Sequence, residues 1–221
     1  MISISISNLI YDACPHFISV QFECEVKNSE FNPTLWLEIE AFTTDFLKKH
    51  KVSDINKFAP ILATRNIYKK LGKDPNRYRP AGEALRRRIL KGNELYKINT
   101  LVDAINLISL KTGYSIGGFD ANLVQGDLEL GVGQKDEKFE AIARGFLNIE
   151  GLPIYRDSVG GIGTPTSDEV RTKIGLETYK LLMLINAYSG KEGLDEAVVY
   201  AKDVLRKFVG AENIEVRMIE K

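Results

Sequence analysis

The residues with the clearest chemical potential are cations. Between Arg65 and Lys91 the chain reads RNIYKKLGKDPNRYRPAGEALRRRILK, ten Lys or Arg against two acids, so this stretch carries +8 and the remainder −8. A chain of zero formal net charge that concentrates cations in this way builds a local positive potential able to attract a polyanion. Lys69, Lys70, Lys73, Arg77, Arg79, Arg86, Arg87, Arg88 and Lys91 are the candidate phosphate contacts, with Tyr68 and Tyr78 available to stack on bases. The bland reading is a solvated face paired with acids from elsewhere in the chain. Arg77 and Arg79 could also anchor their own loop by hydrogen bonding.

A second feature is the glycine-rich loop VGGIGTPTSDE, Val159 to Glu169. Gly160, Gly161, Gly163 and Thr164 permit close backbone approach of the kind a phosphate cradle uses. The loop lacks the Lys-Ser or Lys-Thr pair of a Walker motif and the full GxGxxG fingerprint, so a tight turn lining a pocket is the competing reading. Asp103, Asp120, Asp157, Asp168 and Glu177 offer acid or base chemistry, but no pair has a diagnostic spacing. Ser109, Ser115, Ser158 and Ser167 lack a G-x-S-x-G setting. No catalytic residue is assigned on these grounds.

These residues must be held by elements that the spacing of apolar side chains predicts. Ile2–Ser7 and Ile18–Lys27 alternate as strands and are expected to pair in one sheet. Leu35–His50 has helical spacing, and Ser53 is placed to cap a second helix running past Pro60 to a stop at Gly72. Pro80 opens a helix that ends at Gly92. In the next helix, Thr100–Thr112, Leu101, Ile105 and Ile108 lie on one side and Asn99, Asp103 and Asn106 on the other. Strands are expected at Tyr114–Phe119, Leu128–Val132 and Pro153–Asp157, with a turn around Gly117, Gly118, Phe119 and Asp120. Thr166 and Glu169 form a candidate capping box. A helix over Leu176–Ala187, another over Leu194–Phe208 and a strand over Ile214–Ile219 close the chain. Helices and strands interleave without a strict βαβ period, which predicts a mixed α/β (α+β) fold.

At 221 residues and 44% hydrophobic content, one folded body spanning 1–221 is expected, with a soft internal boundary near Lys73. No apolar run is long enough to cross a bilayer, and MISISISNLI does not read as an export signal, so no membrane association and a cytoplasmic location are expected. Cys14 and Cys24, with His16 and His50, are too few and too scattered for a metal centre or a redox pair. Cys14 and His16 are near enough for a thiol and its base, with nothing further to support that pairing. No cofactor or metal is expected.

The stretch NTLVDAINLISLKTGYSIGGFD, Asn99 to Asp120, together with the upstream KDPNRYRPAGEALRRRILKG, resembles the editing domain of the bacterial phenylalanyl-tRNA synthetase beta chain, its B three/four module. The likeness covers about Tyr68 to Tyr188 and is carried by Asn99, Leu101, Val102, Asp103, Asn106, Phe119 and Asp120. It implies an α/β editing-domain fold, a free-standing module without aminoacylation activity, and a tRNA, aminoacylated or not, as partner. Any activity would be deacylation of a mischarged aminoacyl-tRNA, and the implied pocket is lined by Asn99, Asp103, Asn106, Gly117, Gly118, Phe119, Asp120, Gly160, Gly161, Gly163 and Thr164. The family's Leu-His-Ala-Phe-Asp turn, whose histidine lines the editing pocket, corresponds to Ile116, Gly117, Gly118, Phe119 and Asp120, so Gly117 stands at the histidine position. The family's pocket glutamate has no match within Leu181–Asn186. The alternative reading is a protein on the same fold that binds an amino acid or nucleotide without catalysis, and a third treats the cations as an interface for an acidic protein.

Overall fold

A computed structural model describes all residues, 1–221. Its centre is a strand where the spacing predicts a helix. Lys180–Ala187 forms β9, and its unbroken apolar run LLMLI is explained by burial on both faces. Leu181, Met183 and Ile185 point into one core, while Leu182 and Leu184 point into another. A residue period of two is hidden when both faces are apolar.

Strands β2 (Ile18–Glu25), β3 (Ser115–Asp120) and β10 (Glu212–Ile219) join β9 in an antiparallel sheet of order β10-β2-β9-β3. Strands β1 (Ile4–Ile6), β4 (Leu128–Val132), β7 (Pro153–Arg156) and β8 (Gly161–Gly163) form the other large sheet, in the order β1-β4-β7-β8. A small hairpin pairs β5 (Glu140–Ala141) with β6 (Gly145–Phe146). The expected pairing of the first two strands does not occur, because β9 and β10 occupy both edges of β2, and β1 instead lies parallel to β4.

Helices α2 (Pro33–Lys49), α5 (Thr100–Thr112) and α6 (Leu194–Val209) cover one face of the β9 sheet. The other face packs against the β4 sheet with α1 (Asn8–Ala13) and α3 (Ala59–Lys70). The helix expected from Ser53 is divided: Val52–Lys57 is a 3₁₀ turn, Phe58 is extended, and α3 begins at Ala59 with Pro60 in its first turn, where a missing N–H costs nothing. The last helix of the cationic stretch, α4 (Ala81–Leu90), reaches α5 where Phe46, Ile89 and Leu110 form a third small core. Lys73, at the expected soft boundary, ties segments together: its buried ammonium donates to the carbonyls of Asn148 and Glu150 at 2.8 and 2.6 Å.

Candidate functional site

The glycines of the two expected loops meet at one carboxyl group. β3 is an edge strand, so the amide of Gly118 faces no neighbouring strand, and it donates to Asp168 Oδ2 at 3.2 Å. Asp168 arrives there from a tight turn in which Thr164 Oγ1 accepts from the amides of Thr166 and Ser167, while Thr164 N donates to Ser167 O at 2.9 Å. The Thr166–Glu169 capping box is absent: Glu169 caps a 3₁₀ turn through Arg171 N, and Thr166 Oγ1 pairs with the Tyr68 hydroxyl.

Two glycines make room for this arrangement. A Cβ at Gly163 would fall 2.7 Å from Asp168 Oδ1 and 2.5 Å from Phe119 Cζ, and one at Gly117 would fall 2.8 Å from the same ring atom. Part of Asp168 reaches the surface, but its carboxyl lies among Phe119, Gly117 and Gly163. Burial pushes that carboxyl up to about 7, against the opposing pull of the Gly118 N–H. It is therefore a group that can take or give a proton near neutrality.

The remaining pocket candidates lie elsewhere or serve the frame. Asn99 caps α5 by accepting from Val102 N at 2.9 Å. Asp103 is buried on the far side of α5, where it accepts from the Trp36 indole at 2.7 Å and from Ile98 N at 3.1 Å. Burial raises its carboxyl and these two donors lower it, with burial prevailing. Asp103 and Asn106 line a small apolar cavity of about 90 Å³ with Trp36 and Leu110, and none of the candidate glycines lines it. Asp120 accepts from Asn122 N and the Thr178 hydroxyl, and Gly160 N donates to Asp157. Gly161 packs against Ile154 and Phe139. Of the residues implied by the resemblance, Gly117, Gly118, Phe119 and Gly163, with the turn held by Thr164, gather around the Asp168 carboxyl, and none of them lines one of the larger cavities. Sequence reasoning named Asp168 among the carboxylates without connecting it to Gly118, fifty residues away in the chain.

The cationic stretch divides into used and unused charges. Glu83, fully buried, bridges Arg65 Nη1 at 2.9 Å and Arg87 Nε at 2.6 Å. Arg65 also donates to Pro75 O and Asn76, and Arg87 to Asn56. Arg86, 3% exposed, donates to Leu110 O from Nε and Nη2 at 3.0 and 2.7 Å and stacks on Phe58 at 4.3 Å. Its position at the carbonyl end of α5 suits a cation, and burial lowers its pKa to about 10. Arg88 donates to Glu94 O and covers the Tyr96 ring. As a correction to the expected phosphate contacts, Lys73, Arg86 and Arg87 are committed to internal carbonyls and carboxylates. The side chains of Lys69, Arg77, Arg79 and Lys91 are exposed with no hydrogen bond or ion pair, and that of Lys70 makes one bond, to Ala13 O.

The largest cavity, about 400 Å³, opens beside α3 and is lined by Cys14, His16, Asn66, Lys69, Lys70 and Tyr188 among others. A cavity of about 290 Å³ beside Trp36 contains Glu40 and Glu94, and one of about 210 Å³ beside Cys24 contains Glu23, Glu25 and Glu215. No three His, Cys, Asp or Glu side chains gather to hold a metal ion. No helix is long and apolar enough to cross a membrane.

Comparison with known proteins matches the B3/4 domain to residues 63–193, more than half of the chain. No curated protein matches. Among solved structures, an N-terminal fragment of the phenylalanyl-tRNA synthetase beta-subunit from Pyrococcus horikoshii is similar, with 12% identity and a TM-score of 0.49. The alignment covers 97% of this chain and 50% of that one, so the chain spans half the length of the fragment.

Proposed function

The chain belongs to the B3/4 domain family, and on that premise we propose that it binds tRNA and hydrolyses the ester of a mischarged aminoacyl-tRNA. The observation that carries this reading is Asp168, held by the Gly118 amide with a carboxyl pushed up to about 7. Hydrolysis of an activated ester needs a positioned water, a group to take its proton and donors for the developing oxyanion. Asp168 fits the second role: ionised, it accepts a proton from water as the water attacks the ester carbonyl, and it returns that proton to the departing ribose oxygen. The cations left unpaired by the fold, Lys69, Arg77, Arg79 and Lys91, supply attraction for RNA phosphates.

The test is a panel of mischarged tRNAs, beginning with tyrosyl-tRNA for phenylalanine. The half-life of the ester is expected to fall with wild-type protein and to return towards its spontaneous value with Asp168→Asn. Unchanged half-lives across the panel would reject hydrolysis.

A second reading, binding of an amino acid or nucleotide without chemistry, draws on Gly117. The resemblance places a histidine there in the synthetase, but here a Cβ would lie 2.8 Å from the Phe119 ring. The Phe119 ring fills the space that a side chain at this position would need. A thermal-shift screen distinguishes this reading, since a ligand selective for the folded state raises the midpoint.

A further inference from the structure

The 400 Å³ cavity beside α3 is not part of the Asp168 site, and its lining has a single electrostatic sign. Lys69 and Lys70 project from the last turn of α3, Asn66 stands one turn earlier, and His16 faces them from the loop that joins α1 to β2. No carboxylate lines it, whereas the cavities beside Trp36, beside Cys24 and under Asn106 each contain at least one. The Lys69 ammonium has no protein partner, and the His16 and Asn66 side chains make no hydrogen bond either, although all three are polar and exposed. The floor is firm: the Cys14 thiol donates to Tyr188 O at 3.3 Å, and Lys70 donates to Ala13 O at 2.8 Å, which fastens α3 to the end of α1.

A second cavity, about 240 Å³, begins on the other side of His16. Lys191 and Lys221 line it, and its one acid, Glu220, is paired with Lys191 at 3.2 Å. His16 is common to both cavities and lies over Gly190, where a Cβ would approach its Cδ2 to 3.6 Å. Cations therefore stand on both sides of one imidazole. A compact anion would use one cavity, but a chain of regularly spaced negative charges can use both.

We propose that a single-stranded RNA segment crosses His16, placing phosphates against Lys69 and Lys70 in one cavity and against Lys191 and Lys221 in the other. The proposal rests on the tRNA reading above and gives it a surface: the RNA is held by α3 and the ends of β2 and β9, not by the arginines of α4. His16 and Asn66 supply hydrogen-bond donors to phosphate or ribose, and the flat imidazole offers a stacking face.

The experiment is fluorescence anisotropy with a labelled single-stranded oligoribonucleotide, titrated at several salt concentrations. Lys69→Glu is expected to weaken binding by about tenfold and to lower the slope of log Kd against log salt by roughly 0.7, the value for one single-strand phosphate. His16→Ala should weaken binding with little change in slope. Lys48→Glu, which reverses a likewise exposed and unpaired cation outside both cavities, should leave affinity within about twofold. Because the Lys69 ammonium makes no hydrogen bond or ion pair, its reversal should leave the thermal midpoint nearly unchanged, which verifies that folding is intact. Equal losses from the 69 and 48 reversals, or no loss from Lys69→Glu, would overturn the proposal. So would a thermal shift by inorganic phosphate that Lys69→Glu abolishes while the oligoribonucleotide does not bind, since the cavity would then serve a small phosphorylated ligand. Deacylation and binding fail separately: RNA binding that Lys69→Glu weakens, without ester hydrolysis, keeps this surface and rejects the chemistry. Hydrolysis with kcat/KM indifferent to Lys69→Glu does the reverse.

Discussion

Two cationic regions that adjoin in the chain have opposite fates. On α4 and the inner face of α3, Arg65, Arg86 and Arg87 are turned inward and held by Glu83 and by the last carbonyls of α5, with the buried Arg86 Nη1 left without a partner. On the outer end of α3, Lys69 has no partner and borders the largest cavity. The difference follows from side-chain chemistry. A guanidinium presents several donors in a fixed fork and is weakly hydrated, so it can be buried against carbonyls and a carboxylate, whereas an ammonium keeps its water unless a dedicated site receives it. A run of positive charge is thus two devices, a clasp of arginines that joins three helices and a rim of lysines that faces solvent.

The strongest way to break this contrast is to remove the anion at its centre. Glu83→Ala leaves Arg65 and Arg87 facing each other without their shared carboxylate, and breaking a buried pair in this way costs about 3–5 kcal/mol. Urea unfolding should show that loss in the midpoint. Arg86→Ala comes next: it strips the donors from Leu110 O and opens the space beside Phe58, for an expected cost of about 2–3 kcal/mol. Arg86→Lys should recover only part of it, because an ammonium cannot reproduce the fork. Neither change should alter RNA affinity in the fraction that remains folded.

The charge of the Arg65–Lys91 stretch was legible in the sequence, but its division was not. Glu83 meets Arg65 from eighteen residues away, and Arg86 reaches a carbonyl twenty-four residues further on, so helix packing decided which cations were available. α5 was legible to the residue because its signals are local: Asn99 caps it, and Gly113 ends it at a φ of 83° that favours glycine. Gly113 also lies against Arg86, where a Cβ would sit 3.1 Å from Nη1. β9 reads as a helix for the opposite reason, since a strand between two cores loses the alternation that marks strands. The mixed α/β class survives that error. At the candidate site the glycines and Asp168 were all visible, yet their meeting depends on the free edge of β3, a property of sheet order.

Asp168 sharpens the contrast from the side of the anions. Glu83 is buried with two cations, whereas Asp168 is enclosed with one amide, and its carboxyl is pushed from the usual 3.8 up to about 7. Between those values the folded protein holds a proton that the unfolded chain has released. Stability from this group is therefore fully present below about pH 3.8 and is lost as pH rises through about 7. Burial also acts to raise Glu137 and Asp157, but Arg156 with the Gln134 amide, and Arg171 with the amides of Gln125, Val159 and Gly160, together outweigh it; both carboxyls are shifted down, which gives the opposite slope at lower pH. Wild type and Asp168→Asn share those groups, so the difference between their unfolding midpoints isolates the one carboxyl. That difference should grow in favour of the variant from about pH 4 to pH 7 and level off above, and a constant difference would show that the carboxyl titrates normally.

The smallest expected effect on stability tests the outward side of the contrast. Arg77 and Arg79 flank Tyr78 in an exposed loop, and neither side chain makes a hydrogen bond or ion pair; the Arg77 guanidinium only approaches the Tyr78 ring, at 5.9 Å. The ring is already covered at 4.0 Å by the Lys73 ammonium, which is anchored to Asn148 and Glu150. The loop is therefore held by Lys73, and replacing both arginines with alanine should change unfolding free energy by less than about 0.5 kcal/mol. Their charges can act on RNA only through the surrounding potential, which salt screens over roughly 8 Å at physiological ionic strength. The double variant should consequently slow RNA association at low salt and become indistinguishable from wild type as salt is raised. A stability loss comparable to that of Arg86→Ala would place these arginines with the clasp and shrink the outward rim to the lysines of α3.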